Sequence, residues 1–190
     1  TAGVVQRWEL ILEDEGDTPK VRERLENEMT ALLAESNNSP ESMYQAARGY
    51  LLLGYNDRAE LLFQAIFDKE PEGQAAQWTV MDRVQEAVKP RERVFHLEEF
   101  LRVFPDSRRS SMVYSMLLST YSELGDAEGI RQTADRMLAS ESPLPRDMLY
   151  LTIASTLAEN DIDLDRAEML AKQGYEIRKQ KLDSQAKKLD

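Results

Sequence analysis

Cysteine is absent from this chain, so its reactive side chains are carboxylates, hydroxyls and a single histidine. The run Asp161-Ile-Asp-Leu-Asp165 spaces three carboxylates at every second residue, which is how a twelve-residue calcium loop begins. Such a loop needs glycine sixth and a bidentate glutamate twelfth, but Arg166 and Lys172 stand there. The aspartates are therefore expected to cap a helix start and complement its macrodipole. His96 has Glu92 four residues before it and Glu99 three after, so one helix face would align all three. With no second histidine and Arg93 adjacent, that set is short of a metal site and suits surface charge pairs. A His–Cys dyad is impossible, and neither a serine nucleophile elbow nor a phosphate-cradling glycine loop occurs. The sequence predicts no metal, no cofactor and no catalysis, although so many carboxylates leave a glycosidase-type pair open. Asn37-Asn-Ser39 fits a glycosylation acceptor, a motif short enough to arise by chance.

The elements that must position these residues read as helices throughout. Seven prolines and eight glycines in 190 residues are few, and Leu, Ala, Glu, Arg and Met dominate. Purely apolar runs extend only a few residues, against the roughly 20 required to span a bilayer. Residues 1–72 carry 15 acids against 7 bases, a net −8 out of the chain's −11, which would repel nucleic acid. The chain opens at Thr1 and stops within a lysine-bearing, helix-compatible stretch, so it reads as an excised segment of a longer protein.

An internal repeat organises the helices. Tyr50-Leu-Leu-Leu-Gly54 returns as Tyr121-Ser-Glu-Leu-Gly125, and Asp57-Arg-Ala-Glu60 returns as Asp165-Arg-Ala-Glu168. The offsets are two and three periods of about 36 residues, which fit a helix-turn-helix unit. Gly54 and Gly125 are expected where a helix ends at positive φ, with Asp57 and Asp126 capping the helices that follow. Pro40, Pro71, Pro90, Pro105, Pro143 and Pro145 punctuate the other joints. Ten helices are predicted, near 3–14, 18–35, 40–53, 57–69, 73–88, 91–104, 110–124, 126–140, 146–159 and 164–183. Small Ala47 and Ala59 would let two antiparallel helices approach, while Tyr50 and Phe63 reach the adjacent helix.

These residues resemble the tetratricopeptide repeat family. Its pattern is best met by Met43, Ala46, Ala47, Tyr50, Ala59, Phe63 and Pro71, then by Tyr114, Leu117, Leu118, Tyr121 and Gly125 with Ile130 in place of the small residue. Weaker matches are Met81, Leu97, Phe100 and Pro105, and Tyr150, Ile153, Ala154, Leu157 and Ala167, the last with one extra residue in its turn. The resemblance implies an all-α fold, a right-handed α-solenoid of about five antiparallel helical hairpins. Residues 1–39 would be a diverged or capping helix pair, 40–183 the repeat-like hairpins and 184–190 a truncated tail. Glu98–Asp126 is similar to repeats of bacterial cell-envelope proteins, and the last hairpin to segments beside thioredoxin-like domains. These favour the bacterial periplasm or envelope over the cytoplasm.

In such a stack the first helix of each hairpin lines the concave side. Outward positions there are Glu41, Tyr44, Arg48, Leu52, Trp78, Asp82, Met112, Ser115 and Ser119. Tyr44, Arg48, Leu52, Trp78, Met112, Ser115 and Ser119 are the expected peptide-binding residues, aromatic and methionine side chains suiting a peptide groove. Tyr44 and Trp78 could equally serve the core, and Ser111, Ser115, Ser119 and Ser122 a solvated stripe. The lysine and asparagine that clamp peptide carboxylates in related proteins are replaced at Tyr44 and Arg48. The expected function is a protein or peptide interaction module with a basic, apolar partner. The alternative is a spacer or dimerisation region for a neighbouring, thioredoxin-like domain, the chain being a monomer or weak homodimer.

Overall fold

The computed structural model describes residues 2–140 and 144–186, in which there are ten helices and no strand. They are α1 (Ala2–Glu15), α2 (Pro19–Glu35), α3 (Pro40–Leu52), α4 (Asn56–Lys69), α5 (Gln74–Glu86), α6 (Pro90–Val103), α7 (Ser110–Leu124), α8 (Ala127–Ala139), α9 (Arg146–Glu159) and α10 (Leu164–Ala186). The protein is all-α, and each helix lies within three residues of its expected bounds. Pro143, Thr1 and the end of the expected tail, 187–190, lie outside the described residues.

The chain forms two compact units, Thr1–Asp82 and Arg83–Asp190. In the first unit Trp8 is fully buried among Val21, Leu25, Met29, Ala46 and Leu53, with Tyr50 and Leu52 packed against them. Its indole Nε1 donates to Glu28 Oε2 at 3.0 Å, so the ring brings no unsatisfied donor into the core. Gly49 on α3 makes room for it: a Cβ there would stand 2.6 Å from the Trp8 ring and 2.7 Å from Met29. In the second unit Leu118, Ile130, Met137, Leu149, Ile153, Leu157 and Leu170 join α7, α8, α9 and α10 in one core. Ala47, Ala59 and Ala134 are buried at helix contacts where larger side chains would hold backbones apart.

Helix starts follow local chemistry. Thr18 Oγ1 accepts from Val21 N at 3.3 Å, Ser39 Oγ from Ser42 N at 3.2 Å, and Asp126 Oδ1 from Gly129 N at 2.9 Å. Pro19, Pro40 and Pro90 sit at the first helical turn, where a missing N–H costs nothing. Asp57 does not cap as expected. Helix α4 begins at Asn56 with Tyr55 in the cap position and no side-chain cap bond, which leaves Asp57 inside the first turn beside the positive helix end.

One turn recurs. Gly54 N bonds Leu51 O and Tyr55 N bonds Tyr50 O; Gly125 N bonds Ser122 O and Asp126 N bonds Tyr121 O; Asp161 N bonds Ala158 O and Ile162 N bonds Leu157 O. The three central residues have φ of 74°, 65° and 54°. Asp161 thus occupies the position that glycine fills in the other two hairpins, in the left-handed region that aspartate tolerates better than most residues.

Candidate functional site

Four of the outward positions read from sequence meet in the first unit. Tyr44 on α3 packs its ring against Trp78 on α5, with centroids 5.2 Å apart and planes 46° apart, and against Phe63 on α4 at 6.4 Å. Its hydroxyl donates to Asp82 Oδ2 at 2.8 Å, and Arg48, one helical turn further along α3, reaches the same oxygen at 3.0 Å. The Asp82 side chain is 13% exposed and that of Arg48 is 30% exposed, so the carboxylate is held by two donors at the edge of solvent. Tyr44 and Trp78 are half-buried. Leu52 does not join them; it is partly buried against the Trp8 core. Asp82 was legible as an outward position but not as the residue that fixes Tyr44 and Arg48.

In the second unit Met112 is 44% exposed, Ser119 is exposed and Ser115 is half-buried with its hydroxyl donating to Ser111 O at 3.1 Å. The recurring turn supplies a register in which Met112 corresponds to Met148, and Ser119 to Ser155, each one repeat further along the chain. Met148 is 50% exposed and Ser155 is exposed, and α7 packs beside α9, where Ser122 Oγ donates to Asn160 Oδ1 at 2.8 Å. Met148 and Ser155 escape a reading based on turn glycines, because their hairpin carries Asp161 instead. From Ser110 to Ser122 and from Met148 to Ala158 no side chain is charged, in a chain whose residues are 31% charged.

Two arginines of the first unit stack on tyrosines. The Arg58 guanidinium lies 5.6 Å from the Tyr50 ring centre and 5.0 Å from that of Tyr55, while Nη1 reaches Glu26 at 2.6 Å. Arg22 lies 5.7 Å from the Tyr55 ring, pairs with Asp17 and donates to Leu53 O at 3.0 Å. The Arg58 hydrogen bond, joined by that of Tyr55, holds the Glu26 carboxyl below its usual range, and Arg22 does the same for Asp17. These charges satisfy one another and tie α2 to the α3–α4 turn.

In the second unit Arg136 bonds both Glu98 oxygens at 2.8 Å and lies 5.5 Å from the Tyr114 ring centre. Burial, with Glu98 and Asp126 nearby, pushes the Tyr121 phenol up. Of the aspartate run, Asp163 stands at the α10 cap position, where its carbonyl accepts from Ala167 N at 3.0 Å, and its carboxylate pairs with Arg131 at 3.1 Å. His96 Nδ1 lies 3.4 Å from Glu99 Oε2, and its ring meets Phe95 edge-on at 5.2 Å. Among the described residues no three histidine or carboxylate side chains gather as a metal site would require. No helix among them is long and apolar enough to cross a membrane.

Compared with known proteins, the chain matches no protein-family model, no curated protein and no solved structure.

Proposed function

We propose that the chain is a protein or peptide interaction module whose hairpins stack as a right-handed α-solenoid of the tetratricopeptide kind. The observation that carries this reading is the Tyr44–Asp82 hydrogen bond. It ties α3 to α5, which on this reading are the first helices of successive hairpins, beside a half-buried aromatic pair. The separation of 38 residues between Tyr44 and Asp82 recurs between Ser122 and Asn160 and between Glu98 and Arg136, which is what stacked units of nearly constant length produce. The partner segment is basic and apolar. Residues 1–72 carry a net −8 that attracts cations over a distance, and Tyr44 and Trp78 supply apolar anchorage. Binding of this kind implies no reaction.

Selection from a randomised peptide display library on the immobilised chain tests it. Lysine- or arginine-bearing peptides with aromatic or aliphatic residues should be enriched. Their association should slow as ionic strength rises, and Trp78→Ala should speed dissociation. No enrichment, or enrichment of acidic peptides, overturns the reading.

A further inference from the structure

Helix α10, at 23 residues, is the longest among the described residues, and it packs on α9 through Ala167, Leu170 and Gly174. Gly174 brings the two close: a Cβ there would stand 3.1 Å from the Asp147 carbonyl. Beyond this contact Lys181 pairs with Asp147, whose side chain is only 9% exposed, and so holds the far end of α10 down.

A second face of α10 is mostly uncovered, Ala171 alone among its residues being half-buried against the core of the second unit. Leu164, Glu168, Ala171, Tyr175, Arg178 and Leu182 are spaced alternately by four and three residues, which at 3.6 residues per turn keeps them within about 40° of one line. That line lies roughly 90° around the helix from the mean direction of Ala167, Leu170 and Gly174. Leu164 is 54%, Tyr175 61% and Leu182 60% exposed. Glu168 and Arg178 are exposed as well, Glu168 carrying a surface pair to Lys172 at 2.5 Å. Leu164, Tyr175 and Leu182 thus place three large apolar side chains on one exposed line, at positions that could face a second helix in a two-helix seam.

The order of the residues identifies the other helix. Turning a second α10 end over end about a two-fold axis at the level of residue 173 sets Leu164 against Leu182 of the second copy, Glu168 against Arg178, and Ala171 against Tyr175. Every layer is complementary: leucine on leucine, carboxylate on guanidinium, and a small residue facing a large ring. A parallel pairing would instead set Glu168 on Glu168 and Arg178 on Arg178, two layers of like charge. The face is therefore complementary to itself in the antiparallel sense alone, as a two-fold interface demands.

We propose that α10 is a homodimerisation helix that pairs antiparallel with α10 of a second copy along Leu164, Glu168, Ala171, Tyr175, Arg178 and Leu182. The seam spans about 27 Å, at 1.5 Å per residue. So short a contact makes a weak dimer, below the usual size of a stable interface. It stands whether or not the chain binds a peptide.

Sedimentation equilibrium over roughly 10 µM to 1 mM tests it. The average mass should climb from one chain towards two as concentration rises. Glu168→Arg alone and Arg178→Glu alone should each hold the mass at one chain, because each creates like-charge layers, whereas the double exchange should restore the climb. Cooperative melting curves establish that the variants fold, Arg178→Glu melting somewhat lower because Arg178 also attracts the Asp147 carboxylate. Leu182→Glu with Leu164→Glu should also abolish association. A chain that stays monomeric throughout overturns the proposal. So does a dimer indifferent to the single reversals, or a double exchange that fails to restore association.

Discussion

Tyr44 and Arg48 converge on one oxygen of Asp82, at 2.8 and 3.0 Å, so a carboxylate on α5 is fixed by two side chains of α3. Removing the phenolic donor leaves that oxygen with the guanidinium as its remaining partner in the pair. Tyr44→Phe should cost about 1 kcal/mol in urea unfolding, the net worth of one hydrogen bond, while the Trp78 ring contact survives. An unchanged midpoint would show that the hydroxyl exchanges freely with water.

The two tryptophans should behave differently when truncated. Trp8 is fully buried, and Trp8→Ala should cost about 3 to 5 kcal/mol. Trp78 is only partly buried, and Trp78→Ala should cost measurably less, in keeping with the smaller area it withdraws from water. Equal losses would place Trp78 in the core and remove it from the proposed binding surface.

Glycines 49 and 54 lie close together in the chain and do opposite things. Inside a helix alanine normally gains up to about 1 kcal/mol over glycine. Gly49→Ala should instead destabilise by about 1 to 3 kcal/mol, since the new methyl meets the Trp8 ring at 2.6 Å and cannot be accommodated without moving it. At Gly54 there is open space, and the cost of alanine comes only from its φ of +74°. A second substitution, Trp8→Leu, should therefore relieve Gly49→Ala and leave Gly54→Ala unchanged, which a double-mutant cycle measures.

Much of this architecture is local and for that reason legible. Helix-forming composition, prolines at first turns and the Tyr-x3-Gly punctuation at Gly54 and Gly125 act over a few residues, and the helices they imply are the helices found. Non-local relationships were harder to read. Trp8 on α1 depends on Gly49 on α3, with the whole of α2 between them, and no short-range pattern joins a bulky residue to the gap that receives it. Asp82 looks like any surface carboxylate until α3 and α5 are side by side. The seam on α10 was obscured because its apolar positions are interleaved with those that pack on α9, so the helix reads simply as polar.

Asp161 marks where glycine punctuation fails while the turn persists. Its φ of 54° lies in the region where a Cβ is strained, and the corresponding turns use glycine at 74° and 65°. Asp161→Gly should relieve that strain and stabilise the last hairpin by up to about 1 kcal/mol, less the greater freedom glycine has when unfolded. Thermal melting would reveal a raised midpoint. A lowered one would mean that the Asp161 side chain contributes more than its backbone costs.

Acid should loosen α10 through Asp147. The hydrogen bond from Lys181 holds its carboxyl below the usual range; partial burial opposes this, and its own backbone amide and Arg178 assist. A carboxylate whose folded pKa is depressed contributes stability that is complete above its unfolded value, about 3.9, and is lost as pH falls through the folded value. Lys181→Gln removes the largest of these causes. The variant should be less stable than the wild type at pH 7, and the gap should close on titration from about pH 4 towards pH 2. Carboxylates elsewhere, such as Glu26 and Asp17 with their arginines, titrate alike in both proteins and cancel from the difference. Urea unfolding of the pair at half-unit pH intervals measures that difference. Curves that remain parallel down to pH 2 would show that Lys181 holds Asp147 no better in the folded chain than water does.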